Sequence, residues 1–264
     1  MRGCPYTCKW CSRGVYGLSY RRRSAHHVVE ELRMLHDTYH ADTFWFVDDV
    51  FTISHKWMEN FREELQKRNL HISYECITRA DRLNEHIIRI LKETGCFRVW
   101  IGAESGSQKV IDLMDRRVQV GQVRDMIRLT RRYGIEAGTF IMLGYPGETE
   151  EDIEETIRHL KESNPDQFTI TIAYPIKGTE FYEEVLGSHR ADMDWHKSTD
   201  RQTDFRRTYS RRYYDFAVRR VINEMNSFTH KRNSLDIQAA KFKLKSIVAK
   251  SAMKWHRLTQ FLIR

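Results

Sequence analysis

Apolar residues recur along this chain in two alternating patterns, one helical and one strand-like. After Ser24, a helix-capping residue type, Val28, Val29, Leu32, Leu35 and Tyr39 fall at helical spacing. The run Thr43-Phe44-Trp45-Phe46-Val47 follows and ends in Asp48-Asp49. A continuous apolar run of this kind predicts a strand buried on both faces. Ser54 opens a second helix through Trp57, Met58, Phe61 and Leu65. Ile72 to Thr78 reads as the next strand, and a helix spans about Leu83 to Glu93 before Gly95 stops it.

The alternation continues. Phe97 to Ile101 is a strand running into Gly102-Ala103-Glu104-Ser105-Gly106-Ser107, and helices cover 107–114 and 121–133, the second closed by Gly134. Ile135 to Leu143 is a strand ending in Gly144-Tyr145-Pro146-Gly147-Glu148-Thr149. Thr149 and Asp152 form a capping-box pair for a helix through Leu160, and Gln167 to Ala173 is the last strand. Such alternation predicts an α/β fold with a parallel sheet, open or closed into a barrel. Three clusters follow strands directly: Asp48-Asp49, Glu104-Ser105-Gly106, and 144–148. In α/β folds ligands bind at the C-terminal edge of the strands, so these clusters share one rim.

After about residue 186 the strand pattern ends. The segment 199–212 is polar and rich in arginine, and from Tyr213 the chain reads as helix. Leu244, Ile247, Val248, Trp255, Leu258 and Leu262 keep helical spacing among Lys241, Lys245, Lys250, Lys254 and Arg257. This is a basic amphipathic helix, expected to pack on the domain, with a membrane surface or a partner as the second role. Charge follows the same division. Residues 1–185 carry 26 Lys/Arg against 29 Asp/Glu, whereas 186–264 carry 18 against 7. The net charge of +8 therefore belongs to the C-terminal segment, which suits nucleic acid, anionic lipid or an acidic partner, or simply a solvated helix face. No run of 18 apolar residues exists, and the N-terminus lacks the apolar core of a secretory signal.

The most specific chemistry lies at the start, in Arg2-Gly3-Cys4-Pro5-Tyr6-Thr7-Cys8-Lys9-Trp10-Cys11. Three cysteines spaced C-x3-C-x2-C on a turning loop can converge on one centre, either an iron–sulfur cluster or a zinc ion completed from elsewhere. Five cysteines in total, three of them tightly grouped, do not suggest a disulfide framework and fit a reducing cytoplasm. Cys76 and Cys96 are expected to be buried, inert thiols, and His26-His27 an exposed part of the first helix.

The cysteine loop with Trp10, followed by FVDD, IGAESGS and MLGYPGET after successive strands, resembles the radical S-adenosylmethionine (SAM) superfamily over about residues 2–186. The likeness is to its cobalamin-associated branch, which includes magnesium-protoporphyrin cyclase-like proteins. The resemblance implies a partial (β/α)6 TIM-like barrel as the core domain over 1–186, followed by the basic helical segment 187–264. It implies that Cys4, Cys8 and Cys11 hold a 4Fe-4S cluster whose free iron chelates SAM. It places Trp10 beside adenine, Asp48 and Asp49 near the SAM amino group, and Glu104 and Ser105 near the ribose or amino acid moiety. Phe140, Met142 and Gly144 would meet adenine, and Arg116 or Arg117 the SAM carboxylate.

A reductant such as flavodoxin or ferredoxin, a small-molecule substrate of tetrapyrrole or lipid type, and cobalamin on a separate domain are the implied partners. An RNA-modifying member is the alternative enzyme, though the basic stretch carries no recognisable RNA-binding module. In the family the loop follows the first barrel strand, whereas only Met1, Arg2 and Gly3 precede Cys4 here. The barrel is therefore expected to start at its second strand and the chain to be a fragment, the product of a misplaced start or that of a split gene. A cluster- or zinc-binding scaffold without turnover is the non-catalytic reading.

Overall fold

The helix starts predicted at Ser24 and Ser54 are built as caps. Ser24 accepts from the His27 N–H at the start of α1 (Ala25–Tyr39), and Ser54 from the Trp57 N–H at α2 (His55–Lys67). Asn84, not singled out in the sequence, does the same for Ile87 at α3 (Glu85–Glu93). Between and beyond these run β1 (Thr43–Phe46), β2 (Ser73–Thr78), β3 (Cys96–Glu104), β4 (Glu136–Leu143) and β5 (Gln167–Ile172). The remaining helices are α4 (Gln108–Leu113), α5 (Val120–Arg132), α6 (Glu150–Ser163), α7 (Glu180–Leu186), α8 (Arg211–Asn233) and α9 (Ile237–Leu262). The structure, a computed structural model, describes residues 2–12, 17, 19–186, 199, 201, 203, 205–233 and 237–262. Most of the stretch where the basic segment begins lies outside these.

The strands pair in parallel and in sequence order, β1-β2-β3-β4-β5, and curl into a half-barrel. Five strands among the described residues are what a six-stranded barrel leaves without its first. The convex side carries the core. Tyr74, Cys76, Val99, Ile101, Ala137, Ile141 and Leu143 meet Leu32, Phe61, Ile88, Ile127, Ile153 and Ile157 from the helices. Phe46, Phe51, Phe61 and Tyr74 form one aromatic nest there, with ring centroids 4.5 to 6.2 Å apart. The concave side is different. Glu75 accepts from Trp100 Nε1 at 2.9 Å and Arg98 Nη1 at 3.0 Å, and Trp100 stacks on Phe140 at 5.0 Å.

Three expectations need correction. The strand β1 is not buried on both faces, because Trp45 is 58% and Val47, just beyond it, 70% exposed. It is the edge strand, and only its convex face, with Phe44 and Phe46, meets the core. Tyr39 is likewise exposed, so α1 docks through Ala25, Val28, Val29 and Leu32. The third concerns α9, which does pack, but by its other face. Ala239, Ser246, Ala249 and Met253 are buried, whereas Leu244, Ile247, Val248, Trp255 and Leu258 are exposed. Small residues let α9 approach α8 closely, and Lys243–Glu224, Lys250–Glu154 and Arg257–Glu150 ion pairs hold it. Cys76 is fully buried, and burial pushes its thiol pKa up. Cys96 is also buried, as the first residue of β3 rather than a residue before it.

Two buried titratable groups pull stability in opposite pH directions. Burial pushes Glu148 up to about 8, and burial with Arg124 and Arg128 nearby lowers His159 to about 4. Glu148 holds its proton more tightly folded than unfolded, so its contribution is full below pH 4.5 and is lost as pH rises toward 8. His159 holds its proton less tightly folded, so its contribution is full above pH 6.5 and is lost as pH falls toward 4. Glu148→Gln should therefore stay close to wild type at pH 5 and melt roughly 10 °C higher at pH 9. Thermal unfolding followed by circular dichroism at both pH values tests this; equal melting temperatures at pH 9 would refute it.

Candidate active site

The cysteine loop lies across the C-terminal edge of the sheet, tied there by its own backbone. The Lys9 N–H donates to Met114 O at 3.2 Å, just past α4, and Lys9 O accepts from the Phe181 N–H of α7 at 3.0 Å. The Thr7 hydroxyl donates to Asp115 Oδ2 at 2.7 Å, and Arg2 and Arg21 exchange two backbone hydrogen bonds of 2.9 Å. Cys4 and Cys8 are buried and Cys11 half-buried. Burial raises the Cys4 thiol, against a lowering hydrogen bond from the Tyr6 backbone, and the nearby Asp49 adds to the rise.

Two buried arginines converge on this loop. Arg79, directly after β2, is 2% exposed; its Nη1 lies 3.6 Å from Cys8 Sγ. Its other nitrogens donate to Asp81 Oδ1 at 2.7 Å and Arg116 O at 2.8 Å, and Tyr6 lies under the guanidinium at 3.7 Å. Arg116 places Nη1 3.7 Å from the same sulfur and Nη2 3.1 Å from Gly102 O. Its Nε is buried without a partner. Glu104 faces it at 3.8 Å, on a β-bulge at the end of β3 where φ is +65°. Burial pushes the Glu104 carboxyl up, and Arg116 and Arg79 pull it back.

Most of the sequence candidates meet here. Cys4, Cys8, Cys11, Trp10, Asp49, Glu104, Arg116 and Phe140 line one cavity of about 140 Å³ with Arg79 and Gly102. A larger groove of about 1030 Å³ runs between α5 and α6 but is lined by Arg128, Arg131, Glu162 and Asp166 with no thiol. The smaller cavity is the one with redox-capable ligands. Asp49 stands at its mouth, its pKa raised by the surrounding protein and by Asp48.

Four candidates lie elsewhere. Asp48 pairs with Arg22 at 3.8 Å, on the far side of β1. Ser105 is buried, its hydroxyl 3.2 Å from that of Thr156 and accepting from the Ser107 N–H. Met142 packs with Tyr145 and Phe181 behind Trp10. Gly144, at φ +82°, donates its N–H to Glu148 Oε2 and packs on the Tyr214 ring. Of the two arginines proposed for one role, Arg116 lines the cavity, whereas Arg117 is exposed and pairs with Asp115. Arg79 was missed, although a cation placed directly after the buried run Cys76-Ile77-Thr78 marks a fourth strand end on the rim.

The donor set fits an anionic, thiolate-held cluster: three thiols border the cavity, two guanidiniums reach one of them, and one guanidinium nitrogen awaits a partner. Among the described residues no three of His, Cys, Asp and Glu sit close enough to share a single metal ion.

The chain is similar to several known proteins. A methyltransferase of uncharacterized function from Pyrococcus horikoshii is 33% identical over 201 residues, covering 75% of this chain and 44% of its own. The anaerobic magnesium-protoporphyrin IX monomethyl ester cyclase of Rubrivivax gelatinosus is 29% identical over 198 residues, 74% of this chain and 36% of its own. The chain thus spans less than half the length of these relatives. The radical SAM methyltransferase TsrM from Kitasatospora setae, solved with cobalamin and a [4Fe-4S] cluster, shares the fold with a TM-score of 0.64 at 18% identity, over 70% of this chain and 38% of its own. The family profile described as "Radical SAM superfamily" matches residues 1–160, from the cysteine loop into α6, and the chain belongs to that superfamily.

Proposed function

We propose that this region is the catalytic barrel of a radical SAM enzyme acting on a small molecule, with Cys4, Cys8 and Cys11 as ligands of a 4Fe-4S cluster. The observation that carries the reading is the convergence of three thiols, two buried guanidiniums and a buried carboxyl on one cavity at the C-terminal edge of a parallel sheet. When bound, cluster and SAM supply a one-electron cleavage to methionine and a 5′-deoxyadenosyl radical, which takes hydrogen from an unactivated C–H bond. The chain's residues bind, orient and exclude water.

Arg116, with its unpartnered Nε, pairs with the SAM carboxylate in this reading. Glu104 accepts from the ribose hydroxyls or the amino group, and Asp49 stands close enough to the mouth to share that task. Trp10 and Phe140, which both line the cavity, meet adenine. The concave face beside them offers Trp45, Trp100 and Phe140 together with the exposed Thr169 and Thr171. An aromatic wall with hydroxyls suits a flat or largely apolar substrate of tetrapyrrole or lipid type. The names of the relatives divide between methyl transfer and cyclisation, and TsrM, solved with cobalamin bound, is the motive for cobalamin as a further cofactor here. A flavodoxin or ferredoxin is the electron source.

Anaerobic reconstitution with iron and sulfide should give a brown protein, and adding dithionite and SAM should give 5′-deoxyadenosine. Cys8→Ala should lose both the visible absorbance and the product. A fully reconstituted protein that yields no product would sink the reading. The orientation of Arg116 has its own test. A methyl group at Gly102 would lie 2.5 Å from Arg116 Nη2 and 2.9 Å from Glu104 Oε1. Gly102→Ala should keep full iron content yet bind SAM about tenfold more weakly by equilibrium dialysis, the loss of about one charge-assisted hydrogen bond. Arg117→Ala should bind SAM as wild type does.

A further inference from the structure

The helix α9 presents a surface that the barrel does not use. It carries six Lys/Arg and no Asp/Glu. At 3.6 residues per turn its side chains divide into three sectors. One sector docks: Ala239, Ser246, Ala249 and Met253 are buried, and Lys243, Lys250 and Arg257 pair with Glu224, Glu154 and Glu150 beneath. The opposite sector is apolar and open. Ile237 is 85% exposed, Leu244 63%, Ile247 53%, Val248 61%, Trp255 61% and Leu258 63%. These positions form one stripe, about 32 Å long at 1.5 Å per residue. Isolated exposed apolar residues are ordinary, but an aligned row of six marks an interaction surface.

The lysines say what kind of surface it meets. Lys241 and Lys245 flank the stripe on one side and Lys254 on the other. All three are exposed, and none forms an ion pair among the described residues; Lys245 lies over the Phe242 ring at 5.5 Å. An apolar ridge bordered by cations on both sides, with a tryptophan in it, matches the boundary between acyl chains and anionic headgroups. The ridge is convex, whereas a partner helix would be met by a groove. No helix among the described residues is long and apolar enough to cross a membrane, so the geometry is that of a helix lying in the surface.

We propose that α9 docks this protein on anionic bilayers. Its apolar ridge enters the interface, and Lys241, Lys245 and Lys254 meet the headgroups. The orientation that results is useful to the site. Arg257 pairs with Glu150 at the first turn of α6, immediately after the rim turn 144–149. The half of α9 carrying Trp255 and Leu258 is therefore the half next to the rim. This proposal stands whether or not the cavity cleaves SAM.

Sedimentation with vesicles tests it directly. The reconstituted protein should pellet with vesicles of phosphatidylcholine mixed with phosphatidylglycerol, and much less with phosphatidylcholine alone. The intensity difference between wild type and Trp255→Phe should shift to the blue on binding. Leu244→Ser with Trp255→Ser and Leu258→Ser should abolish binding while leaving far-UV circular dichroism unchanged, because all three side chains are exposed. Replacing Lys241, Lys245 and Lys254 by Gln, which leaves the ridge intact, should weaken binding about a hundredfold, roughly fivefold for each lysine. Absence of binding to the anionic vesicles would overturn the proposal. So would equal binding by the serine variant, or a stable dimer in light scattering that the serine variant converts to monomer.

Discussion

Burying two guanidiniums at one sheet edge obliges the surrounding chain to meet them, because an uncompensated buried charge costs several kcal/mol. Arg79 and Arg116 satisfy that demand with groups from four places: the cysteine loop, the end of β2, the bulge of β3 and the turn after α4. Two side chains thereby tie an N-terminal loop, which has little secondary structure of its own, to the barrel rim. The compensation is incomplete in one respect. Only Glu104 and Asp81 bring carboxyls, and Arg116 Nε has no acceptor. That open donor belongs to a guanidinium that reaches a cysteine sulfur, where an anionic cluster or a carboxylate-bearing cosubstrate would supply the missing acceptor.

The same constraint explains which parts of the sequence were readable. The alternation of apolar runs and caps carries the fold, because each strand buries its convex face and the starts of α1, α2, α3 and α6 are local side-chain hydrogen bonds. Sheet curvature is not local. Whether Trp45 points into a core or into an open concavity depends on what closes the barrel, which no residue near β1 states. The motif after β3 was readable as a rim cluster but not as a division of labour. Glu104 turns into the cavity through its bulge, whereas Ser105 and Gly106 turn toward α6. A Cβ at Gly106 would lie 2.5 Å from Thr156 Cα, and its N–H donates to Thr156 Oγ1 at 2.9 Å. Adjacent residues in one motif thus serve chemistry and packing respectively.

Amphipathic spacing in α9 shows the corresponding ambiguity for helices. Periodicity says that an apolar stripe exists and leaves open which neighbour it faces. Here the alanine, serine and methionine sector is the one that fits against α8, since small side chains allow close approach, and the larger aliphatic residues are left outside. The ion pairs choose in the same direction: the three carboxylates that anchor α9 are on α8 and α6.

These C-terminal helices also support the site. Tyr214 of α8 lies against Gly144, and its hydroxyl donates to Glu148 O at 3.4 Å, while the Gly147 N–H donates to the Thr208 hydroxyl at 3.2 Å. The turn 144–149 is thus held from outside by the C-terminal segment and from inside by the Glu148 carboxyl on the Gly144 N–H. Because burial keeps that carboxyl protonated up to about pH 8, it can sit in an apolar rim without introducing negative charge behind the cavity. An ionised carboxylate there would instead have to be buried beside Asp152, whose charge already raises the Glu148 pKa. Neutral Glu148 holds the turn through the Gly144 N–H without an uncompensated buried charge.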